Sequence, residues 1–284
     1  MENLYNETKN IMKKYNISAN KKLGQNFLVD RNVVEKIVES ADISKSDLVI
    51  EIGPGLGTLT SYLLEKAGKV ICIELDNRMI RILKDRLFIY NNFEIINEDV
   101  LKVDLNGLIK REKENSNINS VKIVANLPYY ITTPIIMRLL EEKLDIESIT
   151  VMIQKEVADR LTAKPGDRLS GAITYTVYYY AETEKVLTVP NDSFIPEPEV
   201  TSEVIKLEIR KEPAIKVKNE ELLFKIIKQA FSQRRKTLVN ALASSNMFES
   251  KEYIINLLKE IGIDEKVRGE NLTLEQYGKM AEKL

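Results

Sequence analysis

The chain has 284 residues, 44% of them apolar, and its 42 basic and 43 acidic side chains leave a net charge of −1. That is enough apolar material for one main domain with a smaller companion, and too much for a disordered chain. Histidine is absent and Cys72 is the sole cysteine, which excludes imidazole bases, Ser-His-Asp catalysis, disulfides within the chain and thiol-rich or histidine-ligated metal sites.

Residues 1–10 are polar and carry no apolar signal core. No apolar run approaches the roughly 20 residues of a membrane span, so a cytoplasmic protein without a membrane partner or a metal is expected. Every charge between Glu7 and Asp30 is basic, Lys13, Lys14, Lys21 and Lys22 among them. Local faces of this kind bind phosphates even when the whole chain is neutral, although solvated helix faces look the same.

From Asp47 the pattern alternates β-branched runs with helical stretches. Residues 47–52 read as a strand, 58–66 as a helix, 70–75 as a strand, 77–87 as a helix, and 93–96 and 121–125 as strands. A helix over 132–142, a strand over 148–153 and a helix over 170–179 follow. This alternation predicts an α/β fold with a mostly parallel sheet covered on both faces. Runs at 184–189 and 202–209 leave little room for a helix between them and are expected to pair antiparallel at the sheet edge. Beyond Pro213 only helices are predicted, at about 220–231, 237–243, 251–261 and 274–282. The expected division is a domain of residues 1–210 and a small all-α domain of residues 211–284.

The first strand runs into Gly53-Pro54-Gly55-Leu56-Gly57, and the second ends Glu74-Leu75-Asp76. Glycines let the backbone turn tightly and a ligand come close, and an acid about 20 residues further on suits ribose hydroxyls. The Gly-x-Gly-x-Gly spacing differs from the pyrophosphate fingerprint. Glu51 adds a negative charge that suits a sulfonium and an ammonium better than a diphosphate, so S-adenosylmethionine is the expected ligand. Asp99, after the third strand, can accept a hydrogen bond from an adenine amino group or cap a helix, or both.

The fourth strand ends Asn126-Leu127-Pro128-Tyr129. An aromatic amine is a poor nucleophile because its lone pair is delocalised into the ring. The Asn126 side-chain oxygen and the Leu127 carbonyl are acceptors that localise it, Pro128 fixes the turn, and Tyr129 offers a face for the base. Positioning then carries most of the catalysis, which suits a chain without histidine. Phe194, in a proline-stiffened loop, is a candidate for the other face of a flipped base. The tyrosines at 175 and 178–180 read as helix packing.

With these segments in hand, the sequence closely resembles the ribosomal RNA adenine N6,N6-dimethyltransferases over nearly its whole length. The resemblance rests on Lys22-Leu23-Gly24-Gln25-Asn26-Phe27-Leu28, the glycine loop, Asn126-Leu127-Pro128-Tyr129, Phe194-x-Pro196-x-Pro198, Gln229 through Leu238 and Arg268-Gly269-Glu270-Asn271-Leu272. It implies a Rossmann-like class I methyltransferase sheet and S-adenosylmethionine held by Asn26, Leu28, Gly53, Gly55, Glu74, Leu75, Asp99 and Asn126. It implies a target base sandwiched by Tyr129 and Phe194. It also implies RNA contacts from Lys21, Lys22, Arg234, Arg235 and Lys236, and a monomer acting on two adjacent adenosines near the 3′ end of small-subunit rRNA, late in subunit assembly. Tyr130 stands where the family often has asparagine and Glu199 where it often has lysine. Three rivals remain: a resistance-type enzyme acting on large-subunit rRNA, a DNA adenine methyltransferase, and an assembly factor that binds without catalysis.

Overall fold

The computed structural model describes residues 3–115, 117–245 and 247–284. In chain order the helices are α1 (Leu4–Lys14), α2 (Arg31–Ser40), α3 (Thr58–Lys66), α4 (Asn77–Arg86), α5 (Leu105–Asn115), α6 (Thr132–Glu141), α7 (Lys155–Leu161), α8 (Ala172–Tyr180), α9 (Glu220–Ser232), α10 (Leu238–Ala243), α11 (Lys251–Glu260) and α12 (Leu274–Glu282). The strands are β1 (Phe27–Leu28), β2 (Asp47–Ile52), β3 (Lys69–Ile73), β4 (Phe93–Ile96), β5 (Ser120–Asn126), β6 (Ser148–Gln154), β7 (Ala181–Val189), β8 (Phe194–Ile195) and β9 (Ser202–Ile209). Helices α1, α2, α5 and α7 and the two short strands stand where the sequence reading assigned nothing. Local signals explain the helices: Asn3 and Asp30 cap the first two, and each caps through its side chain.

The chain divides into two compact units, residues 1–158 with 184–209 and residues 159–183 with 210–284. The first holds the parallel core β4-β3-β2-β5-β6, to which β9 adds antiparallel on β6, with β7 next to β9. Both faces of β2 are buried, Asp47 and Glu51 included, as in a central parallel strand covered by helices on both sides. Strand order runs outward from β2 to β4 and then returns to β5 beside β2. The carboxyl ends of β2 and β5 therefore flank the switch point where open α/β sheets bind ligands.

In the second unit, α8 to α12 pack around Tyr175, Leu223, Ile226, Leu258 and Tyr277. The tyrosines predicted as packing residues behave so. The Tyr175 hydroxyl donates to the Leu272 carbonyl at 2.6 Å, and its ring meets Tyr277 edge-on at 5.2 Å between centroids. These contacts group α8 with the C-terminal helices, although 159–183 precedes the last strand of the sheet. Among the described residues no helix is long and apolar enough to cross a membrane.

Candidate active site

The sheet's switch point opens into a cavity of about 1090 Å³, counting its open mouth. Three strand ends supply it. Glu51 through Leu56 come from the β2 end, Glu74 and Leu75 from the β3 end, and Asn126 through Ile131 from the β5 end. Asn26, Leu28 and Asp99 also line it, so every residue expected to hold the cofactor shares one cavity with Asn126, Leu127, Pro128 and Tyr129.

The glycine loop shows why glycine is needed. Gly53 has φ +68°, and a Cβ built there would stand in open space, where a bound molecule must come closest. At Gly57, φ +79°, a side chain would be strained by the backbone, and its Cβ, 2.7 Å from the Leu83 side chain, would force that residue of α4 to shift. Glu74 holds the loop from beneath: its carboxylate accepts from the Gly55 N–H at 3.2 Å and the Asp76 N–H at 2.7 Å. Asp76 in turn accepts from Gln25 Nε2 at 3.0 Å and caps α4 through the Arg78 N–H. Leu75 is half-exposed in this wall, an apolar surface for a purine ring. No helix follows Asp99 directly, contrary to the capping alternative: its carboxylate accepts from the Leu101 N–H at 3.0 Å and closes a turn, and the next helix starts at Leu105.

Two carboxylates make the cavity electronegative. Burial pushes Glu51 up to about 7, and the neighbouring Glu74 adds to the rise. Burial likewise lifts Glu74, against the backbone N–H groups that bond it. Cys72, buried beside them, donates its thiol to Glu51 at 3.5 Å. Such a site penalises a diphosphate and favours a cation, and it fits the sulfonium and ammonium of S-adenosylmethionine.

The same shift sets a pH dependence for the free protein. Below about pH 4 Glu51 is protonated in the folded state and largely so in the unfolded chain. As pH rises through the unfolded value of 4.5 towards 7, the unfolded chain ionises first, and folding loses on the order of 3 kcal/mol. Glu51→Gln removes that loss. Its urea midpoint is expected to move further above that of the parent between about pH 5 and pH 8, and an offset that is constant with pH would contradict the assignment.

At the β5 end, Asn126 Nδ2 donates to the Asn26 carbonyl at 3.1 Å. This commits the amide nitrogen and leaves Oδ1 as an acceptor. The Leu127 N–H bonds the Met152 carbonyl at 3.1 Å, fixing the loop to β6. The Pro128 carbonyl accepts from Ile131 N–H and Thr132 Oγ1, closing the next turn, while the Leu127 carbonyl takes no such bond among the described residues. Tyr129 is half-buried, and its hydroxyl is hydrogen-bonded to Ser202 Oγ.

Phe194 is placed differently from Tyr129. It is 1% exposed, packs in the core of the first unit and does not line the cavity. The reason is β8, which pairs antiparallel with β1 and sets Phe194 opposite Leu28. Lys21 and Lys22 are exposed on the turn before β1. In the second unit, Arg234, Arg235 and Lys236 are exposed, and Arg234 is partly engaged by Glu270 at 3.4 Å and by the Ser170 carbonyl at 2.9 Å.

Sequence reasoning missed Arg86. It donates to the Leu56 carbonyl of the glycine loop and pairs with Glu7 of α1 at 2.8 Å, tying the N-terminal helix to the cavity wall. No local signal reveals this, because both partners are distant in sequence.

Residues 16–284 match the family model described as ribosomal RNA adenine dimethylase. The protein called ribosomal RNA small subunit methyltransferase A of Alkaliphilus metalliredigens is 51% identical over 278 residues, covering 98% of this chain and 96% of its own. The protein of the same name from Clostridium botulinum strain Loch Maree is 51% identical over 275 residues, 97% of each. Among solved structures, a dimethyladenosine transferase from Plasmodium falciparum superposes with a TM-score of 0.73 at 29% identity, covering 89% of this chain and 95% of its own. The 23S rRNA methyltransferase ErmE superposes with a TM-score of 0.68 at 26% identity, covering 91% and 99%.

Proposed function

The chain belongs to the ribosomal RNA adenine dimethylase family, and on that premise we propose that it dimethylates N6 of two adjacent adenosines near the 3′ end of small-subunit rRNA. Its setting in this reading is the cytoplasm, where it acts as a monomer on an immature small subunit late in biogenesis. The observation that carries the reading is one cavity that joins Asn126 through Tyr129 to the glycine loop and two buried carboxylates.

S-adenosylmethionine, when bound, supplies an electrophilic methyl group. Glu74 accepts the ribose hydroxyls, Leu75 packs on the cofactor's adenine, and Asp99 accepts from its amino group. Gly53 and Gly55 admit the chain of the ligand, Asn26 and Leu28 close its methionine end, and Glu51 balances its positive charge. At the target, Asn126 Oδ1 and the Leu127 carbonyl accept from the N6 amino group and draw its lone pair out of the ring. Tyr129 stacks on the base, its ring orientation held by Ser202. The N6 proton leaves to water after transfer, so no strong base is required. Phe194 serves the second face of the base only if β8 parts from β1. Lys21, Lys22, Arg235 and Lys236 meet phosphates, with Arg234 joining them when Glu270 releases it.

The test is methyl transfer from labelled S-adenosylmethionine to unmethylated small ribosomal subunits and, separately, to naked large-subunit rRNA, read by nucleoside mass spectrometry. N6,N6-dimethyladenosine from small subunits alone is expected. Product only from large-subunit rRNA would assign the chain to the ErmE-like activity instead, and no product from either would leave a binding role in assembly.

Arg86→Ala frees the Leu56 carbonyl and unties α1, and is expected to raise the KM for S-adenosylmethionine about tenfold, the value of one charge-assisted hydrogen bond. Initial rates at varied cofactor check this; an unchanged KM would show that the loop holds its shape without the arginine.

A further inference from the structure

Tyr130 follows Tyr129 in the turn Tyr129–Ile131 but is placed quite differently. Tyr129 is half-buried and tethered by its hydroxyl. Tyr130 is 59% exposed, lines the mouth of the same cavity and has no hydrogen bond or ring contact among the described residues. Its ring lies against Gly24: a Cβ built there would be 3.2 Å from Tyr130 Cδ1 and 3.4 Å from Cε1. Gly24 has φ +60° and ends the turn Lys21–Leu23, on which Lys21 and Lys22 are exposed. An exposed aromatic ring at the cavity entrance therefore packs on the end of a turn that carries two exposed lysines.

Taking a base out of its stack leaves its neighbour with one face uncovered. An exposed aromatic ring covers such a face whatever the base, because every base has a π-face, and nearby lysines meet the phosphates on either side. Tyr130 has the placement for this and Tyr129 does not, since its ring belongs to the cavity wall. We infer that Tyr130, with Lys21 and Lys22, forms a subsite for the nucleotide next to the methylated adenosine: the ring stacks on its base and the lysines hold its phosphates. This rests on the function proposed above.

The test compares full-length parent, Tyr130→Phe, Tyr130→Leu and Tyr130→Ala, with unmethylated small ribosomal subunits and S-adenosylmethionine each varied in turn. Loss of a base stack is expected to raise the KM for subunits about tenfold in the Ala and Leu variants, with the KM for S-adenosylmethionine and the melting midpoint unchanged. Phe is expected to recover most of the loss, because the Tyr130 hydroxyl has no partner to lose. A Leu variant as good as Phe would overturn stacking. A KM for S-adenosylmethionine that rises in step would make the ring a cofactor wall and overturn the subsite. If the parent methylates only naked large-subunit rRNA, the proposed substrate fails and the same comparison is read on that RNA. Binding of labelled small-subunit rRNA, which needs no turnover, reads the subsite directly: Ala and Leu are expected to weaken it and Phe to leave it near the parent, and equal binding by all four would overturn the inference.

Discussion

Asn126→Ala is expected to lower kcat for methyl transfer by about 10²–10³-fold, the cost of removing one preorganised polar contact at a reacting centre. The loss is two-fold in origin. In the proposed mechanism the side chain gives up its acceptor for the N6 amino group, and it also gives up the donor that fixes its own orientation on the Asn26 carbonyl, 3.1 Å away. Cofactor affinity is expected to fall by no more than about tenfold, since one neutral hydrogen bond is at stake. Calorimetry with S-adenosylmethionine and single-turnover transfer to small subunits separate the two effects. Near-parental turnover in this variant would mean that amine activation resides elsewhere, and the account of the β5 end would have to be abandoned.

Glu74→Ala should act on the other half of the reaction. Glu74 is 7% exposed, and its carboxylate already bonds two backbone N–H groups. Its remaining lone pairs are the natural acceptors for two ribose hydroxyls. Losing charge-assisted bonds of this kind is expected to weaken S-adenosylmethionine binding about 10²-fold, while kcat at saturating cofactor falls much less. Because burial raises the pKa of this carboxyl, its removal also takes an unfavourable charge out of the interior, so the variant should fold. Affinity equal to the parent's would place the ribose elsewhere in the cavity.

The parts of the site that are contiguous in sequence were legible from the sequence. A strand, a glycine turn and a helix follow one another over 47–66, and their side-chain types reveal burial and turning without reference to any other segment. Placement that depends on distant partners was not legible. Phe194 sits in a loop whose local composition suits an exposed ring as well as a buried one, and pairing of β8 with β1 is what turns it inward. Arg86 looks like any basic residue at a helix end until Leu56 and Glu7 are brought to it. Glu51 was legible as a charge at a strand end. Its raised pKa was not, because that follows from burial beside Glu74. The N-terminal helix α1 escaped notice because its polar sequence shows only a narrow apolar stripe, Leu4 and Ile11 among its members.

The second compact unit is assembled from two stretches of chain, 159–183 and 210–284. Cutting after Arg210 would therefore not detach it cleanly. α8 would stay behind with Tyr175 and Tyr179 stripped of Leu223, Ile226 and Tyr277, leaving an apolar face that invites aggregation. For the same reason a single recombination event cannot exchange this unit between relatives. A chimera would need three crossovers, near 158/159, 183/184 and 209/210, so that β8 and β9 stay with the sheet. The helical unit and the sheet are thus inherited together, and grafting a foreign helical unit calls for replacing both stretches at once.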